Sequence, residues 1–249
     1  MDITNNQLHQ LRLTGILKTL PMRLQEGQQE RWSYTEFLTG LLTDEIRYRD
    51  QKSSEGRLRR AKFRTQADFD HFDFTLKRSL SKTQIKELRE LTFLKSKQNL
   101  LLLGPTGVGK TFVATAIGHQ ACNEGYNVLF EGMNHLIEQI KLARVGGTFL
   151  RLRKKLIEAD LLIIDDLGIK PLEGEIVQDI YDLLEERYLK RSTIITSQLP
   201  VTNWKEVITD PVVFEAIVDR IAHGYKIEIT GESYRKKRGV DKVKGTSGN

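Results

Sequence analysis

The last three fifths of the chain alternate short apolar runs with longer stretches in which apolar residues recur at helical spacing. The apolar runs are Leu100–Leu103, Val128–Phe130, Leu161–Ile164, Thr193–Thr196 and Tyr225–Ile229. Helical patterns fall between them, near residues 110–124, 134–143, 148–158, 174–190 and 211–223. Strands that are apolar throughout and alternate with helices predict a parallel sheet covered by helices on both faces. We therefore expect an α/β fold here.

The first part of the chain shows helical periodicity only. Leucines at near-helical spacing begin at Leu8 and predict a helix that ends before Pro21. Ser33 and Glu36 have the S-x-x-E spacing of a capping box, so we expect a helix from about residue 34 to 50 that runs on into an arginine-rich segment. Ser81 is predicted to cap a further helix.

These patterns divide the chain of 249 residues into three parts. Residues 1–67 are predicted to form a small, basic α-helical domain, residues 68–238 the α/β domain, and residues 239–249 a polar, flexible tail. The single cysteine, Cys122, excludes a disulfide framework and a multi-cysteine zinc site. Neither a secretory signal nor an apolar run of membrane-spanning length is present, so we expect a cytoplasmic protein without membrane contact.

Positive charge is concentrated near the N-terminal end. The first 98 residues hold 19 basic and 13 acidic side chains, a net charge of +6, and the remaining residues are balanced. Such asymmetry favours a polyanionic partner, although a basic helix face can also be merely solvated. The candidate DNA contacts in the richest stretch are Arg47, Arg49, Lys52, Arg57, Arg59, Arg60, Lys62 and Arg64.

One loop has a spacing that binds phosphate. The stretch Gly104–Thr111 reads GPTGVGKT and fits G-x-x-x-x-G-K-[ST] at every fixed position, between an apolar run and a helical pattern. Its glycines let successive backbone N–H groups face one anion, at the positive end of the following helix. We expect Lys110 to reach the β- and γ-phosphates of ATP and the Thr111 hydroxyl to bind Mg²⁺. The candidate nucleotide-binding residues are Gly104, Pro105, Thr106, Gly107, Val108, Gly109, Lys110, Thr111 and Phe112.

An acidic pair, Asp165 and Asp166, ends an apolar run that is predicted to be a neighbouring strand. Ligands of parallel sheets bind at the carboxyl ends of the strands, so both carboxylates should lie near the phosphate loop. We expect Asp165 to hold Mg²⁺ through water, and Asp166 to orient or deprotonate the attacking water.

The two motifs resemble those of the AAA+ ATPases, and in particular the DnaC/IstB branch. The similarity covers roughly residues 57–238, and the run RRAKF at residues 59–63 resembles the IstB helpers of insertion sequences. It implies a P-loop NTPase sheet flanked by helices. Only residues 230–249 follow the last predicted strand, too few for a full helical lid.

The same resemblance implies roles for residues outside the two motifs. Gln198 occupies the sensor-I position, and Arg220 matches an arginine finger that acts on ATP bound by a neighbouring subunit. Arg235, in the terminal Ser-Tyr-Arg, would contact phosphate or serve in assembly. Lys141 and Arg144, followed by the basic residues of 151–155, lie where initiator-type relatives touch DNA.

Taken together, these features predict an oligomeric, Mg²⁺-dependent ATPase. It would assemble as a ring or filament on duplex DNA, largely without sequence preference, and assist a transposase in target selection. A replicative helicase loader of the DnaC/DnaI type is the alternative, because its catalytic core would be nearly the same. A small-molecule P-loop kinase is a third reading, but it gives no role to the basic segment.

Overall fold

A computed structural model describes residues 2–71, 79–222 and 224–231. The helices are α1 Asp2–Gln10, α2 Thr14–Gln29, α3 Tyr34–Ala61, α4 Lys82–Arg89, α5 Thr92–Lys95, α6 Lys110–Asn123, α7 Met133–Val145, α8 Phe149–Glu158, α9 Glu175–Arg187 and α10 Pro211–Ala222. The strands are β1 Leu100–Leu103, β2 Val128–Gly132, β3 Leu161–Leu167, β4 Ser192–Ser197 and β5 Tyr225–Glu228. The chain divides into two compact units, Met1–Gly56 and Arg57–Asn249, so the second unit includes residues 57–67, which the sequence analysis placed in the N-terminal domain.

The first unit is helical, as predicted, and its small core contains Ile16, Leu20 and Leu41. A carboxylate from α3 caps α2, because the residue before α2 is Leu13, which has no capping oxygen. Buried Glu45 accepts hydrogen bonds from the first turn of α2, at 2.6 Å from the Gly15 amide and 3.1 Å from the next amide. A carboxylate is favourable at this position because the free N–H groups of a helix N-terminus carry partial positive charge.

The prediction that a helix ends before Pro21 is wrong, because Pro21 lies inside α2. A proline removes one backbone donor but has a helical φ, so neighbouring packing can carry the helix through it. Here the buried side chains of Ile16 and Leu20, in the preceding turns, hold that part of α2 in the core.

The capping predictions are confirmed. Ser33 and Glu36 exchange the two hydrogen bonds of a capping box at the start of α3, and α3 runs on to Ala61. Ser81 and Gln84 form a second capping box at α4. The predicted tail at 239–249 lies outside the described residues. No helix in the described part of the chain is long and apolar enough to cross a membrane.

A five-stranded parallel sheet forms the centre of the second unit, and its strand order is β2-β3-β4-β1-β5. The five predicted strands and the five helices among them are confirmed. Alternate side chains enter two core layers, one with α4 and α6 and the other with α7 to α10. Burial on both faces explains why β1 and the first four residues of β3 are apolar throughout, whereas the edge strand β5 is largely exposed and contains Lys226 and Glu228.

Strand β4 lies between β1 and β3, so the acidic strand is not the direct neighbour of the strand before the phosphate loop. We expected direct adjacency, and the spacing of apolar runs carries no information on strand order. The acidic pair still reaches the phosphate loop, because α6 begins at the carboxyl edge of the sheet and brings Thr111 to Asp165.

Candidate nucleotide site

The phosphate loop follows β1 at the carboxyl edge of the sheet. Gly104, Gly107 and Gly109 have φ values of +143°, +87° and +106°, a region that glycine adopts without steric cost. A β-carbon on Gly104 would also collide with the carbonyl oxygen of Ile229. The glycine spacing in the sequence therefore reflects backbone geometry that other residues would strain.

Lys110 begins α6 and is 5% exposed. Its ammonium group donates to the carbonyl oxygens of Gly104 at 2.7 Å and Pro105 at 3.0 Å, so the lysine lies within its own loop. Of the other predicted loop residues, Val108 is buried in the core and Phe112 packs against that core. Pro105 and Thr106 are exposed at the tip of the loop.

Asp165 is 2% exposed and has two hydroxyl partners. The Thr111 hydroxyl donates to its carboxylate at 2.9 Å, and the Thr196 hydroxyl on β4 donates at 2.6 Å. Burial raises the pKa of the Asp165 carboxyl and repulsion from Asp166 adds to the rise, whereas the two hydrogen bonds and the positive charge of Arg64 oppose it. Because burial disfavours the charged form, a nearby cation stabilises this carboxylate more than it would an exposed one.

The donor set fits Mg²⁺, which prefers hard oxygen ligands and keeps several waters. Thr111 supplies a hydroxyl and Asp165 a carboxylate, and the pair are already within hydrogen-bond distance of each other. These are the residues that would hold the ion.

Asp166 is half-buried and has a left-handed backbone, with φ of +63°. Its amide donates to the Thr196 hydroxyl oxygen at 2.9 Å, so Thr196 holds both acids of the pair. A left-handed conformation is uncommon for a residue with a side chain and occurs often at functional sites. This backbone conformation takes Asp166 out of the strand pairing in which Asp165 takes part.

Gln198 immediately follows β4 and is exposed. Its side-chain oxygen accepts a hydrogen bond from the Thr106 hydroxyl at 2.6 Å. The residue predicted at the sensor-I position therefore contacts the tip of the phosphate loop. Its role toward phosphate or water stays a prediction.

Arg220 lies near the end of α10, more than 100 residues after the phosphate loop, and its side chain is bound by residues of the same chain. Its guanidinium pairs with Glu185 and, at 2.6 Å, with Asp219, and it stacks on the ring of Tyr188. The arginine-finger role of Arg220 across subunits stays a prediction. Arg235 lies outside the described residues.

The basic residues predicted on α7 have different surroundings. Arg144 is bound in a bidentate pair by Asp179, at 2.6 and 2.9 Å, and also by Glu175 at 3.2 Å. A phosphate would have to compete with both acids for this side chain. Lys141 is exposed and forms no ion pair with any described residue.

The predicted DNA contacts of the first unit are partly engaged within α3. Arg49 pairs with Glu45 at 2.7 Å, and Lys52 pairs with Glu55 at 2.7 Å. Arg47 is exposed. The Lys52 pair is of the exposed, one-turn type that contributes little energy, so it does not prevent contact with a polyanion, whereas the carboxylate that binds Arg49 is buried.

A basic groove of about 780 Å³ lies in the second unit. Its floor is formed by Asn127, the beginning of β2 and Ala159, the residue after α8. We call it the basic groove, and its cations come from the end of α3 and from α8: Arg57, Arg59, Arg60, Lys62, Arg151, Lys154 and Lys155. Glu158 is the one acid among the described residues that line it.

Most cations of the basic groove form no ion pair or hydrogen bond with a described residue. Arg57 donates to the carbonyl oxygen of Cys122 at 2.6 Å, and Lys154 approaches Glu158 at 3.7 Å. The exposed side chains that form no hydrogen bond or ion pair with any described residue are Arg59, Arg60, Lys62, Arg151 and Lys155. An array of unpaired cations around one cleft attracts polyanions in general.

Arg64, predicted with the DNA contacts, does not line the basic groove. Its guanidinium lies against Gly132 at the opposite, carboxyl edge of the sheet, where Gly132 pairs with Asp165. The structure therefore places Arg64 beside the acidic pair.

Sequence reasoning missed Thr196 as the residue that holds the acidic pair. Its position two residues before Gln198 put it at the end of β4, but nothing in a single sequence shows which strand faces Asp165. Sequence reasoning also identified the basic residues of α8, but not that they line one groove together with residues 57–62. That juxtaposition arises only from the fold.

The fold and the site define a P-loop NTPase of the AAA+ type. The features that establish this class are the parallel sheet, the phosphate loop that follows β1, and Asp165 near the carboxyl end of β3, beside Thr111.

The chain belongs to the family of IstB-like ATP binding proteins, which it matches over residues 6–241. It is 38% identical over 236 residues to the putative insertion sequence ATP-binding protein y4pL of Sinorhizobium fredii (strain NBRC 101917 / NGR234), covering 94% of this chain and 96% of that protein. It is 34% identical over 231 residues to the insertion sequence IS21 putative ATP-binding protein of Pseudomonas aeruginosa, covering 92% and 87%.

Among solved structures, the crystal structure of DnaI is similar to this chain with a TM-score of 0.57 and 22% identity. The match covers 71% of this chain and 94% of DnaI. Similarity at this level of identity shows the fold alone. The resemblance to the DnaC/IstB branch of the AAA+ proteins is thus confirmed.

Proposed function

We propose that the protein is an Mg²⁺-dependent ATPase that binds DNA and assists the transposase of an insertion sequence. The observation that carries the proposal is the hydroxyl–carboxylate pair of Thr111 and Asp165 at the mouth of a glycine-shaped phosphate loop. Family membership and the printed names of the relatives support the ATP and insertion-sequence parts.

In this proposal the loop and Lys110 bind the triphosphate. Phosphate would replace the carbonyl oxygens of Gly104 and Pro105 as partners of the Lys110 ammonium group. Backbone N–H groups and the N-terminus of α6 add fixed positive potential. Mg²⁺ held at Thr111 and Asp165 would neutralise charge on the phosphates.

Hydrolysis requires a positioned water, and Asp166 is the residue we assign to it. The water oxygen bonds to the γ-phosphorus, the bond from that phosphorus to ADP breaks, and Asp166 accepts or directs the proton of the water. Gln198, through its contact with Thr106, would orient the water or the γ-phosphate. Thr196 fixes Asp165 and Asp166 relative to each other.

Assembly completes the catalytic site. Arg220 would reach ATP bound by a neighbouring subunit and stabilise the negative charge of the transition state. To do so it must exchange Glu185 and Asp219 for phosphate, which makes hydrolysis depend on oligomerisation. Arg235 is a further proposed contact for phosphate or for assembly.

DNA binding is assigned to the basic groove, with weaker support for Arg47, Arg49, Lys52, Lys141 and Arg144. Side chains that contact phosphates position a duplex without reading its sequence. The five unpaired cations of the basic groove make it the best-supported surface for this function.

The helicase-loader alternative finds support only in the fold, because DnaI is 22% identical. The relatives that are 38% and 34% identical are named as insertion-sequence proteins. A pull-down from lysate separates the two readings, since recovery of a replicative helicase and not of a transposase would favour a loader.

The proposal is tested by the ATPase rate against protein concentration, with and without long duplex DNA. We expect a rate that requires Mg²⁺, rises steeply with protein concentration and increases with DNA. A rate that a small metabolite stimulates and DNA does not would overturn the proposal in favour of a small-molecule kinase.

A further inference from the structure

Residues 57–64 cross the sheet from the basic groove to the carboxyl edge that holds Lys110 and Asp165, which we call the nucleotide edge. Arg57 contacts the end of α6 through the carbonyl oxygen of Cys122, at 2.6 Å. The ring of Phe63 then packs against Phe130 on β2, with ring centroids 6.0 Å apart. Arg64 comes next, with its guanidinium against Gly132, the last residue of β2. The path therefore delivers one cation to the carboxyl edge of the sheet.

Gly132 sets the position of this cation. A β-carbon on Gly132 would occupy the space that the Arg64 guanidinium fills. Gly132 pairs with Asp165 in the parallel register, and paired residues of neighbouring strands project to the same face of a sheet. Arg64 thus lies on the face where Asp165 meets Thr111, and its positive charge acts on the Asp165 carboxylate.

Arg64 has charge available for a ligand. Its side chain is exposed, and it forms no hydrogen bond or ion pair with any residue in the described part of the chain. Lys62, only two residues earlier, lines the basic groove instead. The two neighbouring cations therefore lie at different places on the second unit, Lys62 in the basic groove and Arg64 at the carboxyl edge of the sheet.

We propose that Arg64 is a positioning residue of the nucleotide site, where it offsets the negative charge of Asp165 and of the triphosphate, and that it is not a DNA contact. The inference rests on the proposed binding of ATP at Lys110 and Asp165. It predicts that the charge of Arg64 matters most when no divalent ion neutralises the phosphates.

The test measures the affinity for a slowly hydrolysed ATP analogue, with EDTA and with Mg²⁺, and the affinity for duplex DNA. Arg64→Gln should weaken analogue binding about tenfold in EDTA, since an opposite charge a few ångströms away is typically worth one or more pKa units. The loss should be smaller with Mg²⁺, because the ion takes over part of the neutralisation. DNA affinity should not change.

Three further variants separate charge from structure. Arg64→Lys should restore most of the EDTA-state affinity. Gly132→Ala should reproduce part of the loss although the arginine is retained, because the added methyl group displaces its guanidinium. The neutral control is Lys205→Gln, which removes one positive charge at an exposed lysine outside both sites.

The outcomes are distinguishable. If Arg64→Gln leaves analogue binding intact in EDTA, or weakens DNA binding as Lys62→Gln is expected to do, the inference fails and the proposed function stands. If the wild-type protein binds no ATP analogue at all, the proposed function fails and takes the inference with it.

Discussion

The nucleotide edge and the basic groove both suit phosphate, but they are built in different ways. At the nucleotide edge, Lys110 and Asp165 are 5% and 2% exposed and are held by hydrogen bonds. In the basic groove, cations such as Arg59 and Lys155 are exposed and unpaired with any described residue. The first construction suits one small ligand in one orientation, and the second suits a long polyanion in many registers.

This difference sets how each site should respond to salt and to mutation. Buried, pre-positioned groups are screened little by salt and are sensitive to small displacements. Exposed cations bind by releasing counterions, so their contribution depends on salt and is spread over several residues. Single substitutions should therefore be severe at the nucleotide edge and mild in the basic groove.

The largest expected effect is that of Arg220→Ala on hydrolysis. Loss of an arginine that stabilises transition-state charge lowers turnover by about 10³-fold or more in well-studied systems. We expect the steep dependence of the ATPase rate on protein concentration to disappear as well. DNA binding without nucleotide should persist, and a variant with wild-type turnover would remove Arg220 from the catalytic assignment.

Thr196→Val should have the next largest effect. It removes the hydroxyl that donates to Asp165 and accepts from the Asp166 amide. Loss of such a supporting partner typically lowers activity or metal affinity about 10- to 100-fold. Steady-state ATPase measurements at several Mg²⁺ concentrations check this, and Thr202→Val, at an exposed threonine, is the matched control. Equal rates for the two variants would contradict the role of Thr196.

Replacing Arg59, Arg60 and Lys62 together by glutamine should mainly change salt dependence. Each lost phosphate contact lowers the slope of log affinity against log salt by roughly 0.9, so the triple variant should lose between two and three. Fluorescence anisotropy with a labelled duplex at several salt concentrations measures this slope. An unchanged slope would place the DNA elsewhere, for example on the first unit.

The smallest predicted effect is that of Lys155→Gln. This single cation of the basic groove should lower the slope by at most about 0.9 and leave nucleotide affinity unaffected. The same anisotropy titration checks it. A large loss of DNA affinity from this one change would show that the basic groove is a pre-organised site like the nucleotide edge. The proposed difference between the two sites would then be wrong.

The sequence predicts the nucleotide edge well because its constraints are local. The positive φ values of Gly104, Gly107 and Gly109 favour glycine at fixed spacing, so the loop can be predicted from the sequence alone. Strands β1 and β3 are predictable from the sequence because burial on both faces requires continuous apolar runs. Pro21 was misread, because local propensity predicts a break that the packing of α2 overrides.

Features that depend on which elements become neighbours could not be predicted. The pairing of Thr196 with Asp165 requires β4 to lie beside β3, and the basic groove requires α8 to meet the end of α3. Arg64 shows the limit most clearly. In the sequence it is one of a run of cations, and only the fold separates it from Lys62 and places it against Gly132.

The account depends on ATP being bound where Lys110 meets the pair of Thr111 and Asp165. The most direct measurement is calorimetric titration of a slowly hydrolysed ATP analogue into the wild-type protein and Lys110→Ala, with Mg²⁺ and with EDTA. The account predicts wild-type binding that Mg²⁺ strengthens, and a loss of at least about a hundredfold in the variant. Equal binding by the two proteins, or wild-type binding indifferent to Mg²⁺, would contradict it.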